Sequence, residues 1–338
     1  MSGYGFGFVG TGTVANFHAR ALGMLPEARL VAVTDVDAGR AQEFAAQHGC
    51  AAAPDLDALL GRDDVDVVTV CVPSGQHAEV GVRVARAGKH LVVEKPIDVS
   101  LDAADRLIAA AAAAGVTVAV ISQHRFDPGL VELRRLIEDG AFGRLLLGQA
   151  STKWWRSQDY YDSAGWRGTW AMDGGALMNQ GIHYTDLLRW CLGPVAEVSA
   201  LTVTQAHEIE AEDCALATVR FTSGAVGTIT ATTSVVPGFP ERLEISGTEG
   251  SAVVEDGGLI YRGFRDGSEV RVAADGGGAA ANAAGLGVAA HAAQLADLVA
   301  AIDEGREPAV TAADARATLE LVCAVYESGR EGRPVVLR

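Results

Sequence analysis

A short apolar segment near the start of the chain, Gly5-Phe6-Gly7-Phe8-Val9, runs into Gly10-Thr11-Gly12 and at once into helical spacing. Val14, Phe17, Ala21 and Leu25 recur on one helical face, and Pro26 stops the pattern. A strand that turns on glycine directly into a helix is the first half of a βα unit, and such units repeat. Leu30 to Thr34 reads as a second strand, and Ala38 to His48 as a helix closed by Gly49. Asp66 to Val72 is a nearly continuous apolar run, as a parallel strand covered on both faces requires. Gln76 to Ala87 is a helix ended by Gly88, and His90 to Glu94 a strand. Ser100 is placed to cap an alanine-rich helix through Ala114, and Thr117 to Ser122 is the next strand. This alternation predicts an α/β fold with a doubly wound parallel sheet over residues 1–122.

The pattern then changes. Leu145 to Thr152, Val195 to Gln205, Asp213 to Phe221, Ala225 to Ser234, Glu241 to Ser246 and Ser251 to Glu255 read as successive strands, with Thr222-Ser223-Gly224 as a hairpin connection. A second domain, residues 123–338, is therefore expected to be α+β, built on an open, mostly antiparallel sheet. Ala273 to Ala290 is almost all alanine and glycine and reads as a flexible loop. A last helix follows Thr311, signalled by Asp314 three residues on, with Ala315, Leu319, Val322 and Tyr326 on its apolar face; it is free to pack back on the first domain.

Bulk properties exclude several function classes. A net charge of −16 argues against nucleic acid or an anionic membrane as partner. No apolar run is long enough for a bilayer, and the N-terminus has no secretory pattern, so the expected location is the cytoplasm. The five cysteines stand far apart with no C-x-x-C pair, which fits reduced thiols and gives no metal site.

The motif Gly10-x-Gly12-x-x-Ala15 points to a dinucleotide. The first glycine allows the tight turn, the second lets backbone approach a pyrophosphate, and Ala15 allows close helix packing. The N–H groups of the turn and helix start, from Gly10 and Thr11 through Gly12 and Thr13 to Val14, would meet the phosphates. Asp35 ends the second strand about 20 residues on, where an acid holds the ribose hydroxyls. It would repel a 2′-phosphate, and position 37 is Asp rather than Arg, so NAD is expected over NADP. Asp37 is read equally as a solvated turn residue.

Three further stretches carry a family resemblance: Cys71-Val72-Pro73-Ser74 with His77; Gly88-Lys89-His90-Leu91-Val92-Val93-Glu94-Lys95-Pro96; and Asp173-Gly174-Gly175-Ala176-Leu177-Met178-Asn179-Gln180-Gly181-Ile182-His183, running to Asp186. With the glycine turn, their order and spacing resemble the glucose–fructose oxidoreductase / inositol dehydrogenase / MocA (Gfo/Idh/MocA) family across essentially the whole chain. The resemblance implies an N-terminal Rossmann domain, a C-terminal domain on an open sheet, and hydride transfer between nicotinamide and a sugar, inositol or related substrate. It also implies a homodimer or homotetramer formed through that sheet. Pro73, His77 and Gln123 would neighbour the cofactor, and Glu94 would contact the ribose or support Lys95. Asn179, His183 and Asp186 would face the substrate.

Lys95 stands at a strand end, where α/β sheets place ligands, and partial desolvation there would let it exchange protons near neutrality. The segment from about Gly174 to Leu192 reads as an amphipathic helix, with Leu177, Tyr184, Leu188 and Cys191 on one face and Asn179, His183 and Asp186 opposite. Many family members have Asp at position 179. Asn179 orients a hydroxyl but accepts no proton, so a Lys–Asp–His relay is not expected; a subgroup acting on nucleotide-linked sugar acids resembles this chain there. His183 and Lys95 are alternative proton-transfer groups. Four of the five tryptophans lie between Trp154 and Trp170, among Arg156, Tyr160 and Arg167. That loop suits sugar recognition, and equally self-packing or a subunit contact. Trp166 and Arg167 are the expected substrate contacts, and Arg156 or Arg167 would suit a carboxylate or phosphate. Arg125 is read as a substrate neighbour or a plain salt bridge. His18, His48 and His207 have no partners visible in sequence. The expected function is an NAD-dependent oxidoreductase of a sugar, inositol or sugar acid. A glycosidase using NAD for transient oxidation, and a non-catalytic NAD-binding regulator, stand as alternatives.

Overall fold

The computed structural model describes residues 3–272 and 288–337. Contacts divide the chain into two compact units, Met1–Gln123 with Gly287–Arg316, and His124–Leu286 with Ala317–Arg338.

The first unit holds six parallel strands, β1 (Tyr4–Val9), β2 (Ala28–Thr34), β3 (Ala51–Ala52), β4 (Val67–Val70), β5 (His90–Val93) and β6 (Val118–Val120), in the order β3-β2-β1-β4-β5-β6. Strand order reverses between β1 and β4, the switch point where such sheets bind ligands at the strand ends. Every residue of β4 is buried, which is why its sequence is continuous rather than alternating. Helices α1 (Thr13–Leu22), α2 (Ala38–His48), α3 (Leu56–Leu60), α4 (His77–Arg86) and α5 (Leu101–Ala114) connect the strands. Ser100 caps α5 through Ala103 N, and Gly115 ends it with φ +66°. Asp37, read either as a cofactor selector or a turn residue, caps α2 by accepting from the N–H groups of Gly39 and Arg40. The helix Ala289–Glu304 sends Ala292, Leu295, Leu298 and Val299 into the core with Phe6, Phe8, Ala15 and Ala21. Of the stretch expected as a loop, residues 273–287 lie outside the described residues, whereas Ala289 and Ala290 already belong to this helix. Alanine forms helix well but leaves little apolar contrast to read.

The second unit is built on nine strands, β7 (Leu145–Lys153), β8 (Val195–Val203), β9 (Cys214–Phe221), β10 (Val226–Thr232), β11 (Arg242–Gly247), β12 (Gly250–Glu255), β13 (Gly258–Phe264), β14 (Glu269–Arg271) and β15 (Val335–Val336). Their order is β14-β13-β12-β11-β7-β10-β9-β8-β15. β10 pairs with β7 in parallel, and the other pairs are antiparallel. Burial alternates along β9: Ala215, Ala217, Val219 and Phe221 are buried, while Leu216, Thr218 and Arg220 are exposed. Helices α6 (Pro128–Glu138), α7 (Gln158–Asp162) and α8 (Ile182–Leu192) belong to this unit. α8 lies on the inner face so closely that a Cβ on Gly148 would sit 2.6 Å from the Leu188 and Leu192 side chains. Among the described residues no helix is long and apolar enough to cross a membrane.

Candidate active site

In the first unit the turn between β1 and α1 is shaped for a ligand. Gly10 has φ +92°, and a Cβ there would fall 2.5 Å from the Cys71 carbonyl oxygen, so only glycine fits. Gly12 caps α1 with extended backbone and no side-chain hydrogen bond, and a Cβ on it would meet nothing within 4 Å. Helix N–H groups thus open onto free space, with Gly12 and Thr13 exposed and Val14 half-buried. These are the features a pyrophosphate needs. Asp35 leaves the end of β2 beside the turn. Its carboxylate accepts from Thr11 N at 2.8 Å, Thr11 Oγ1 at 2.9 Å, Asp37 N at 2.9 Å and the Arg40 guanidinium at 2.8 Å. Burial works to raise its pKa, but the N–H bonds and Arg40 outweigh it and hold Asp35 below the usual carboxylate value. An ionised acid at this place fits a ribose.

Lys95 is half-buried just beyond the C-terminal end of β5, joined to Pro96 by a cis bond. Glu94 is buried beneath it, accepting from Lys95 N at 3.1 Å and meeting His18 Nε2 at 2.7 Å. Burial alone would raise the Glu94 pKa; His18, with His291 and Lys95, brings it down to about 2. Glu94 thus holds the Lys95 backbone. His18, without visible partners in the sequence, is fully buried and edge-on to His291, at 5.5 Å between ring centroids. His77 is also buried; its ring nitrogens lie 2.7 Å from Pro96 O and 2.9 Å from Val72 O. A neutral ring carries one N–H, so it donates to one of these two carbonyls at a time, between the Pro73 loop and the Lys95–Pro96 segment. Burial lowers its pKa. Gln123 is buried, and its Oε1 has no partner among the described residues.

In the second unit the expected uniform helix is not regular. Leu177–Gly181 forms a π-helical turn that runs into α8. Such turns concentrate at functional sites. Asn179 sits on this turn, and its amide Nδ2 donates to Asp173 Oδ1. Asp173 is buried, and its other oxygen accepts from Gly168 N at 2.8 Å. Asn179 and His183 are half-buried. His183 lies edge-on to His124, 5.0 Å between centroids, and His124 Nδ1 meets Asp127 at 2.6 Å. Burial lowers the His124 pKa, but Asp127, Glu241 and Asp256 outweigh it and raise the net value.

Asp186 parts company with Asn179 and His183. It is buried, and it accepts both arms of Arg125, at 2.7 and 2.8 Å, plus Thr318 Oγ1 at 2.7 Å. The expected substrate contacts of Arg125 and Asp186 are thus replaced by a buried bidentate pair, because a carboxylate on the inner side of the helix needs its cation there. Trp166 and Arg167 are half-buried, and the Arg167 guanidinium lies 4.6 Å from the Trp166 ring centre. His207, another residue without partners in the sequence, lies 3.0 Å from Asp213 and 2.8 Å from Arg156 O.

Glu212 was not singled out in the sequence. It is buried against the head of the π turn, where Oε1 accepts from Leu177 N at 2.7 Å and Tyr326 OH at 3.1 Å. Tyr326 OH in turn accepts from Gly175 N and Met178 N, at 3.3 and 3.1 Å. Burial pushes the Glu212 pKa up to about 8 despite these bonds.

Comparison with known proteins agrees with this geometry. Residues 4–122 match the oxidoreductase family with an NAD-binding Rossmann fold, and residues 130–253 match the GFO/IDH/MocA C-terminal domain. The chain is 30% identical to the uncharacterized oxidoreductase YrbE of Bacillus subtilis over 74% of this chain and 73% of that one. It is 26% identical to inositol 2-dehydrogenase of Rhizobium meliloti, over 98% of each. Among solved structures, the WlbA dehydrogenase from Bordetella pertussis in complex with NADH and UDP-GlcNAcA is 32% identical, covering 99% of this chain and 98% of that one with a TM-score of 0.89. The chain belongs to the Gfo/Idh/MocA family and is an NAD-binding oxidoreductase.

Proposed function

We propose that this member of the Gfo/Idh/MocA family transfers hydride between NAD and a hydroxyl or keto carbon of a sugar, inositol or sugar acid. The observation that carries the reading is the placing of Lys95 at a strand end of the dinucleotide sheet, held by a buried, ionised Glu94. Relatives named for inositol oxidation, and a dehydrogenase bound to a nucleotide-linked sugar acid, support the substrate class. Bound NAD supplies the hydride acceptor at its nicotinamide ring. Gly10, Thr11, Gly12, Thr13 and Val14 hold its phosphates and Asp35 its ribose, with Pro73, His77 and Gln123 shaping the neighbouring wall. Lys95 polarises the reacting oxygen. Lys95 or His183 moves the hydroxyl proton, Asn179 orients the hydroxyl, and Trp166 and Arg167 contact the rest of the substrate. Asp186 and Arg125 act through the helix they anchor.

A homodimer or homotetramer, formed through the open face of the nine-stranded sheet, is part of the same proposal. Leu201 and Leu216 face each other on β8 and β9 with 58% and 45% of their surface exposed, and Val226, also exposed, lies farther along the sheet opposite Arg220. Apolar side chains grouped on an open sheet face support burial against a second copy. The scattered cysteines suit the reducing cytoplasm.

The test is absorbance of reduced nicotinamide with NAD or NADP and a panel of inositols, hexoses, anhydrosugars and sugar acids. NADH formation with NAD, abolished in Lys95→Ala, is the expected result. Product formation without net NADH would replace this reading with transient oxidation. Bound NAD with no turnover would replace it with a regulator.

A further inference from the structure

In a chain of net charge −16, two arginines of the second unit combine aromatic stacking with the lack of a carboxylate partner. Arg125, Arg134, Arg135, Arg242 and Arg262 each pair with a carboxylate. Arg156 and Arg167 have no carboxylate within 4.0 Å among the described residues. Aromatic faces hold them instead. Arg167 lies 4.3 Å from the Tyr160 ring centre and 4.6 Å from that of Trp166. Arg156 lies 5.2 Å from the same Tyr160 and 4.9 Å from Trp154. One tyrosine thus carries two guanidinium groups.

Most of their N–H donors remain available. Arg167 donates to Tyr160 OH at 2.7 Å and Ser163 Oγ at 3.1 Å. Arg156 donates through Nη1 to Trp155 O at 3.2 Å, and its Nε is buried with no partner among the described residues. Each guanidinium has five donors in a planar fork suited to carboxylate and phosphate oxygens. Asp162, Glu208 and Glu210 line the same pocket as Arg167 without pairing with it; Asp162 accepts from Gln158 and Glu210 from Trp170 N, while Asp173 accepts from Gly168 and Asn179. The cluster also touches the proposed catalytic segment, since Gln180 Nε2, one residue after Asn179, reaches Tyr160 OH at 3.4 Å.

We propose that Arg156 and Arg167, stacked on Tyr160, form a subsite for a carboxylate or phosphate group of the substrate, so that this enzyme acts on an anionic sugar rather than a neutral one. The proposal rests on the dehydrogenase reading above and deepens it. Stacking fixes both forks before binding, so little side-chain freedom is lost when the anion arrives.

Fluorescence of Trp154 and Trp166 reports the site directly. The NADH-loaded full chain is titrated with glucose, glucuronate and glucose 6-phosphate. Glucuronate or glucose 6-phosphate should bind about 10- to 100-fold tighter than glucose, as charge-assisted bonds allow. The preferred anion tells a carboxylate site from a phosphate site. Arg156→Leu and Arg167→Leu should each weaken glucuronate and glucose 6-phosphate binding far more than glucose binding, so that the preference disappears. Arg167→Lys, which keeps the charge and loses the fork, should recover part of it. Equal binding of the three sugars, or a preference that survives both leucine variants, overturns the proposal. No turnover is needed, so anion binding without NADH formation keeps the subsite and removes the dehydrogenase reading. NADH formation from neutral sugars, unimpaired in both variants, does the reverse.

Discussion

Two helix starts matter to the proposed chemistry, and the molecule treats them in opposite ways. α1 begins at Gly12 with no side-chain cap and open space in front of it. The helical segment carrying Asn179 and His183 begins against a filled space. There Glu212 and Tyr326 take the N–H groups of Gly175, Leu177 and Met178, and a Cβ on Gly175 would lie 1.6 Å from Glu212 Oε2. Every helix start leaves backbone donors to be satisfied. The first unit gives them no side-chain cap, as the proposed phosphate site requires. The second satisfies them internally, and the side chains proposed to act on the substrate emerge later, on the π turn and in α8. A binding end must be open, whereas a catalytic side chain needs its backbone immobilised first.

The largest expected effect comes from opening the closed end. Glu212→Ala would leave the Leu177 N–H buried without its acceptor and a cavity beside Gly175. Stability should fall by roughly 3–5 kcal/mol in urea unfolding, the sum of an unsatisfied donor and a cavity. Glu212→Gln should cost far less, and it carries a pH signature. Burial holds the Glu212 pKa at about 8, above its ordinary 4.5. Across that window the folded state keeps a proton that the unfolded state has released, so this group makes stability fall as pH rises. Glu94 works in the opposite sense: its value of about 2 gives stability that is present above 4.5 and lost as pH falls toward 2. Melting curves between pH 5 and 8 should therefore slope less in Glu212→Gln than in the parent. An unchanged slope would mean that Glu212 is ionised, and that the closed end is an ion site after all.

The open end was legible in the sequence because its parts are local: Gly10, Gly12 and the end of β2 follow from one strand–turn–helix unit. The strands of the second unit were legible by alternation, as in β9. The closed end was not, since Tyr326 lies 114 residues from Glu212 and Arg125 lies 61 from Asp186. Nothing in local periodicity announces partners so distant. Nor does 3.6-residue spacing foresee a π turn, which is why Asp186 was expected beside Asn179 and is instead buried against Arg125. His18 was missed for the same reason, its partner Glu94 being 76 residues away.

A smaller effect follows from the contact between Asn179 and Asp173. Asn179→Asp would set two carboxylates against each other, and like charges at that range disfavour ionisation of one of them. Turnover should fall on the order of 10- to 100-fold through misplacement of the reacting groups, with NAD affinity unchanged. The exchanged pair, Asp173→Asn with Asn179→Asp, restores one amide and one carboxylate and should recover most of the loss. If the double variant is no better than the single, Asp173 serves only Gly168, and the closed end ends before Asn179.

The smallest effect on the fold is expected at the open end. Gly12 has φ −73° and ψ −167°, a conformation any residue adopts, and its Cβ position is empty. Gly12→Ala should therefore change stability by no more than about 1 kcal/mol. Affinity for NAD should nevertheless weaken, on the order of tenfold or more, because the added methyl group stands where the pyrophosphate approaches the backbone. Gly175→Ala makes the matched control: the same methyl group meets Glu212 and should destabilise the fold. Urea unfolding and NAD titration on both variants separate the two ends. A Gly12→Ala protein that binds NAD normally, or unfolds as easily as Gly175→Ala, would show that the space before α1 is not where the phosphates lie.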